Sequence, residues 1–137
     1  MEKNDFIERR RYVRCPVEAK VTFQFTEKGQ EQPSFGTVKA ISKDLSVEGI
    51  CFISNKQVPP SSRLKLEIVL SPDQQPVKLE GDVKWSRPVS PQKGQELFST
   101  GVRLFTVGSE DDSRFVQYIC KKMVENAKYW VIEEEKD

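Results

Sequence analysis

From Val17 the chain alternates apolar and polar residues: Val17, Ala19, Val21, Phe23 and Phe25 fall between Glu18, Lys20, Thr22 and Gln24. A period of two puts one set of side chains on each face and predicts a half-buried strand. The segment Glu27-Lys28-Gly29-Gln30 carries turn residues. A Thr- and Val-bearing strand is expected over about residues 34–42, and a third over Gly49-Ile50-Cys51-Phe52-Ile53-Ser54. Pro59-Pro60-Ser61-Ser62 interrupts the pattern before Leu64, Leu66, Ile68 and Leu70 alternate again, and Ser71-Pro72-Asp73 reads as another turn. Val77, Leu79, Gly81, Val83 and Trp85 recur at period two in a strand reaching about Arg87. A loop is expected over residues 88–95, rich in Pro, Ser, Gln and Gly, before a last strand over 97–105.

The period then changes. Ser109 is a helix N-cap candidate, and Glu110, Asp111 and Asp112 place negative charge at the positive end of a helix. Phe115, Ile119, Met123 and Ala127 follow at i, i+4, with Val116, Cys120 and Val124 beside them, which makes one face apolar to about Trp130. That face must be covered by the strands or by a second copy of the chain, so a homodimer through the C-terminal helix stays open. Six strands at short, even spacing predict an antiparallel sandwich or closed barrel rather than alternating β-α-β units. The expected fold class is all-β with a terminal helix. The chain divides into a charged arm (1–16), a barrel with its helix (17–131) and an acidic tail (132–137).

Length, charge and two residue counts narrow the chemistry. The 137 residues suffice for one domain and one core. Lys and Arg total 22 against 21 Asp and Glu, a net charge of +1. A protein that grips long nucleic acid by neutralising many phosphates carries a larger basic excess, so no long nucleic acid is expected and an anion site must be local. The absence of histidine removes Ser-His-Asp and Cys-His nucleophilic machinery and most nitrogen-ligated metal sites. The three cysteines, Cys15, Cys51 and Cys120, are far apart and form neither a disulfide framework nor a zinc motif. No run approaches the roughly 20 apolar residues of a spanning helix, and the N-terminus lacks a signal-peptide core. The expectation is a cytoplasmic protein without membrane insertion, and not an enzyme: there is no activated nucleophile, no metal and no cofactor.

Two segments carry candidate chemistry. Glu8-Arg9-Arg10-Arg11-Tyr12-Val13-Arg14 packs four arginines into six positions. Such a run can be a solvated basic stretch. It can also clamp an anion, because guanidinium forks bond phosphate or a guanine edge and stack on bases. The second segment is Asp44-Leu45-Ser46-Val47-Glu48-Gly49, between the second and third expected strands. It serves as a hairpin turn, with Gly49 supplying positive φ, or as a ligand edge. In that role Asp44 accepts from guanine N1–H and N2–H₂, Ser46 adds a hydroxyl, and Gly49 admits the ligand to the backbone. Trp85 and Trp130 lie in apolar periods and read as packing residues, Asp111-Asp112 as helix-terminus charge, and Cys51 as a small core residue.

Together these segments resemble the PilZ domain, the bacterial receptor module for cyclic di-GMP. Arg10-Arg11-Tyr12-Val13-Arg14 fits its R-x-x-x-R element, and Asp44-Leu45-Ser46-Val47-Glu48-Gly49 fits [DN]-x-S-x-x-G without substitution. Gly81-Asp82-Val83-Lys84-Trp85 and Gly101-Val102-Arg103-Leu104-Phe105 continue the likeness. The resemblance implies a six-stranded antiparallel β-barrel with a C-terminal helix. It also implies a second-messenger receptor that binds cyclic di-GMP through Arg10, Arg14, Asp44, Ser46 and Gly49, with Arg9 and Arg11 beside the clamp. Such a receptor would convert messenger level into a conformational change and contact with a downstream protein. Two alternatives remain at this stage: a PilZ-like interaction module that binds no nucleotide, and a small barrel for single-stranded nucleic acid.

Overall fold

The computed structural model describes residues 14–27, 29–32, 36–105 and 109–136. Among them the chain forms β1 (Cys15–Pro16), β2 (Lys20–Thr26), β3 (Val38–Ser46), β4 (Gly49–Ser54), β5 (Arg63–Ile68), β6 (Val77–Gln92) and β7 (Gln95–Leu104), followed by a helix α1 (Glu110–Lys136). Every strand pair is antiparallel. The order β3-β2-β5-β6-β7-β4 closes on itself through β3–β4, a six-stranded barrel to which β1 adds along β3. Closure leaves no long free edge, the usual liability of a sheet.

Alternation becomes burial where it is cleanest. Val21, Phe23 and Phe25 of β2, Leu64, Leu66 and Ile68 of β5, and Val77, Leu79 and Val83 of β6 fill the interior with Phe52 of β4. The Phe23 and Phe52 rings meet at 4.8 Å between centroids, tilted by 39°. The outward residues of β5 and β6 form a ladder of opposite charges: Arg63 opposite Asp82, Lys65 opposite Glu80 and Glu67 opposite Lys78. Cross-strand pairs of this kind contribute a few tenths of a kcal/mol each, up to about 1.

The helix starts as its sequence predicts. The Asp112 amide donates to Ser109 Oγ and the Ser109 amide to Asp112 Oδ2, a reciprocal cap. Asp111 accepts from the Lys78 amide at 2.8 Å, and Arg114 donates to the carbonyls of Gln75 and Pro76, which fixes the first turn to the start of β6. Phe115 and Ile119 are buried against the barrel core. The helix continues to Lys136, past the expected end near Trp130, because Glu and Lys are good helix formers.

Four other features depart from the sequence pattern. Cys15–Pro16, placed in the arm, are the first residues of the sheet. The second expected strand lies later, at Val38–Ser46, so Asp44 and Ser46 belong to a strand and only Val47 and Glu48 form the turn. The expected loop at 88–95 is instead the tip of a β6–β7 hairpin. Lys93 and Gly94 have φ of 54° and 76°, and Gln92 faces Gln95 across this two-residue turn, whose twist suits the flanking strands. Finally, a register shift between Val83 and Trp85 takes Trp85 out of core phase.

Candidate functional site

β1 is short, but it delivers Arg14 to the barrel. Its register pairs Cys15 with Leu45 and Pro16 with Asp44. Arg14 Nη1 then donates to Asp44 Oδ1 at 3.3 Å, with the two side chains 49% and 27% exposed. A pair this open is worth little to stability and leaves both groups available to a ligand. Cys15 turns inward and is buried, which pushes its thiol pKa up, with the nearby Lys122 ammonium of α1 opposing the shift.

Two features of β3 hold this arrangement. The Ser42 hydroxyl, buried at 1% exposure, accepts from the Ala19 amide at 2.8 Å and donates to the Val17 carbonyl. The Ser42 amide donates to the Ala19 carbonyl at 2.9 Å. The segment that follows β1 is thus bonded to β3 at Ser42, through both its hydroxyl and its amide. Immediately after it, the β3–β4 register shifts between Ser42 and Asp44, leaving Lys43 as an extra residue. Such a bulge re-aims the side chains that follow it. Here it puts Asp44 on the outer face while Ser42 and Leu45 stay buried.

Ser46 and Gly49 close the turn, and their geometry differs from a ligand-only reading. Ser46 Oγ is largely buried and donates to the Gly49 carbonyl at 3.4 Å. Gly49 does not have the positive φ expected of a turn glycine. Its constraint is space: a Cβ there would stand 2.9 Å from the Val102 carbonyl oxygen of β7. Asp44, Ser46 and Gly49 are therefore brought to one end of β3–β4, with Arg14 beside them. Arg9, Arg10 and Arg11 lie outside the described residues.

From Asp44 the pairing continues in one row across the outer face: Pro16, Asp44, Cys51, Gly101, Trp85. The Trp85 indole lies over Gly101, where a Cβ would meet Cε2 at 2.4 Å, and the Arg87 guanidinium stacks on the same indole at 4.8 Å. Cys51 Sγ and Ser99 Oγ, 3.3 Å apart, lie buried between the two ends of the row. Arg103, exposed, pairs with Gly49 two residues along β7. Sequence reasoning did not mark Trp85, Arg87 or Arg103 as candidates for this face. The period of two assigned Trp85 to packing, and the only available signal was the aromatic next to two cations in β6 and β7. Since Trp85 reaches back over β7, its ring and Asp44 are separated by about two strand spacings, roughly 10 Å. The face combines a carboxylate, three guanidiniums and an indole, the chemistry that takes a flat, anionic, hydrogen-bonding ligand. Among the described residues, no group of three or more potential metal ligands occurs, and no helix is long and apolar enough to cross a membrane.

Comparison with known proteins agrees with this architecture. The family model for the PilZ domain matches residues 8–121. The fold is similar to that of the Bacillus subtilis inhibitor of motility MotI/DgrA, at 18% identity and a TM-score of 0.59, covering 85% of this chain and 52% of that one. It is similar to the Escherichia coli YcgR PilZ domain with c-di-GMP, at 16% identity and a TM-score of 0.56, covering 88% and 96%. It is also similar to K. pneumonia MrkH, at 13% identity and a TM-score of 0.62, covering 85% and 50%. The chain thus spans about half the length of the MotI and MrkH chains and nearly all of the YcgR domain. No curated protein sequence matches it.

Proposed function

The chain belongs to the PilZ domain family, a family of cyclic di-GMP receptors, and from that premise we propose that it binds cyclic di-GMP on the outer face of β3, β4, β7 and β6. The observation that carries the reading is the placement of Arg14 against Asp44 at one end of a pairing row whose other end is the half-buried Trp85 indole. Arg14 forks a phosphate, and Arg10, four positions earlier in the R-x-x-x-R element, supplies a second fork, with Arg9 and Arg11 beside it. Asp44 accepts from the N1 and N2 donors of one guanine. Ser46 and Gly49 hold the turn that presents Asp44, and the Trp85–Arg87 stack offers a surface for the second base.

The magnitudes are sufficient. Charge-assisted hydrogen bonds contribute roughly 1.5–3 kcal/mol each, and stacking on an aromatic adds about 1–3 kcal/mol per base. Together they reach the ~8 kcal/mol of micromolar binding after association costs. The protein then acts as a receptor whose ligand-bound face contacts a downstream protein, without turnover of the nucleotide. Isothermal titration of the full chain with cyclic di-GMP, GMP and cyclic di-AMP tests this. Saturable heat at micromolar cyclic di-GMP, with none from GMP at the same concentrations, is expected. Absence of saturation with cyclic di-GMP sinks the reading.

A further inference from the structure

The proposed nucleotide face is bordered by one more cation, Arg103 of β7, which is exposed and pairs with Gly49 on one side and Asp82 on the other. Asp82 is already engaged. Arg63 Nε donates to its Oδ1 at 3.1 Å, and the same guanidinium lies 4.6 Å from the centre of the Phe105 ring. Among the described residues Arg103 makes no ion pair, either with Asp82 or with the exposed Glu48 of the β3–β4 turn. Lack of an acid does not set it apart, since Lys84 and Arg87 of β6 have none opposite them either. Its position does.

One residue before Cys15, Arg14 falls level with Ser46, and the pairing runs on from Ser46 to Gly49 to Arg103. Arg14 and Arg103 thus end one row, as Asp44 and Trp85 end the next. The strands of the two arginines are three spacings apart, roughly 14 Å, and two long side chains close much of that gap. The ground between them is low: Ser46 is largely buried and bonded to the Gly49 carbonyl, Gly49 has no side chain, and Cys51 is buried. Two guanidiniums, a carboxylate and an indole therefore stand at the corners of a floor of small residues. Cyclic di-GMP is two-fold symmetric, with two bases and two phosphates. Arg14 beside Asp44 meets one phosphate and one base, and the Trp85 indole, over Gly101 and two residues along β7 from Arg103, meets the second base. We infer that Arg103 holds the second phosphate, which makes the face selective for a ligand that carries two. The assignment rests on the function proposed above.

The test is calorimetric titration of the full chain and its Arg103 variants with cyclic di-GMP. The second probe is the linear dinucleotide GpG, which has both bases and a single phosphate, measured by competition with cyclic di-GMP. Arg103→Gln is expected to weaken cyclic di-GMP about tenfold, the loss of one charged contact. Arg103→Lys should recover most of that affinity, because a phosphate accepts an ammonium as a point charge, whereas a guanine edge or a stacked base needs the planar fork. GpG, whose one phosphate is held at Arg14, should bind the unaltered chain and Arg103→Gln alike, within about twofold. The melting temperature of the free protein should stay where it is, since no ion pair is lost. Equal binding of cyclic di-GMP by Arg103→Gln and the unaltered chain would overturn the assignment and leave the nucleotide site standing. So would equal losses for cyclic di-GMP and GpG, or an Arg103→Lys protein as weak as Arg103→Gln, either of which would put Arg103 on a base. No saturable binding by the unaltered chain would sink the proposed function and this assignment with it.

Discussion

Trp85 covers Gly101 so closely that a Cβ on Gly101 would stand 2.4 Å from Trp85 Cε2 and 2.7 Å from Nε1. An indole is rigid, and Arg87 stacks on this one, so Gly101→Ala must displace the ring. Overpacking of this kind costs about 1–3 kcal/mol. The expected result is a lower melting temperature and a changed Trp85 fluorescence, read in a Trp130→Phe background. Cyclic di-GMP affinity should fall at least severalfold, because the platform is lost. Unchanged emission and affinity would mean that Trp85 takes no part in the site.

Arg14 and Asp44 separate binding from stability. Their ion pair is half in solvent, so Arg14→Ala should alter the melting temperature of the free protein little, by about 1 kcal/mol of stability at most. Its effect on cyclic di-GMP should be larger, about 2 kcal/mol or thirtyfold, from the loss of charged contacts. Arg14→Lys should also weaken binding, because an ammonium neither forks nor stacks. Asp44→Ala should narrow the preference for cyclic di-GMP over cyclic di-AMP. Equal weakening of both ligands in calorimetry would leave Asp44 with a role only in holding Arg14.

Most of the barrel was legible because its interior repeats at the strand period. Val21, Phe23 and Phe25, or Leu64, Leu66 and Ile68, alternate without interruption and are buried as expected. The misreadings occur where backbone geometry breaks the period. Lys43 and Lys84 each stand at a register shift, and a bulge leaves no mark in the sequence. One such shift turned Trp85 outward. Pro88, Ser90, Pro91 and Gly94 have the composition of a loop, yet Pro88 faces Phe98 and Val89 faces Leu97 in a ladder. Prolines are tolerated there because a hairpin tip extending past its neighbours needs few bonds on its outer edges. At the site, the Asp-x-Ser-x-x-Gly spacing identified the right turn. The work of Ser42 depends on contacts with Val17 and Ala19 that only the folded chain brings together.

Asp111 is expected to contribute to stability in acid. The hydrogen bond from the Lys78 amide, then the one from Arg114, holds its carboxyl below the usual carboxylate range. A carboxyl with a lowered folded pKa stabilises the fold above its unfolded pKa of about 3.9. That stabilisation is lost as pH falls through the folded value. The melting temperature should therefore drop below about pH 4, and Asp111→Asn, which still offers an oxygen to the Lys78 amide, should show a shallower drop. Parallel profiles for the two proteins between about pH 2 and 6 would remove Asp111 from the acid transition.

Ser42 links the stability of the barrel to the geometry of the site. Its hydroxyl partners the Ala19 amide and the Val17 carbonyl, and Ser42→Ala leaves both without it. The cost of buried groups left unpaired is about 1–3 kcal/mol, visible as a lower melting temperature. A purely structural role would end there. The same bonds, however, tie down the residues that follow Arg14 and Pro16, at the point where the bulge turns Asp44 outward. Ser42→Ala should therefore weaken cyclic di-GMP binding through Arg14. The double variant Ser42→Ala/Arg14→Ala should bind no worse than Arg14→Ala alone, since a misplaced arginine and a missing one cost the ligand the same contact. Ser42→Thr keeps the hydroxyl and should recover most of the affinity even if its added methyl lowers the melting temperature. Calorimetric titration of the four proteins decides the matter: losses that simply add in the double variant would make Ser42 a residue of the barrel alone.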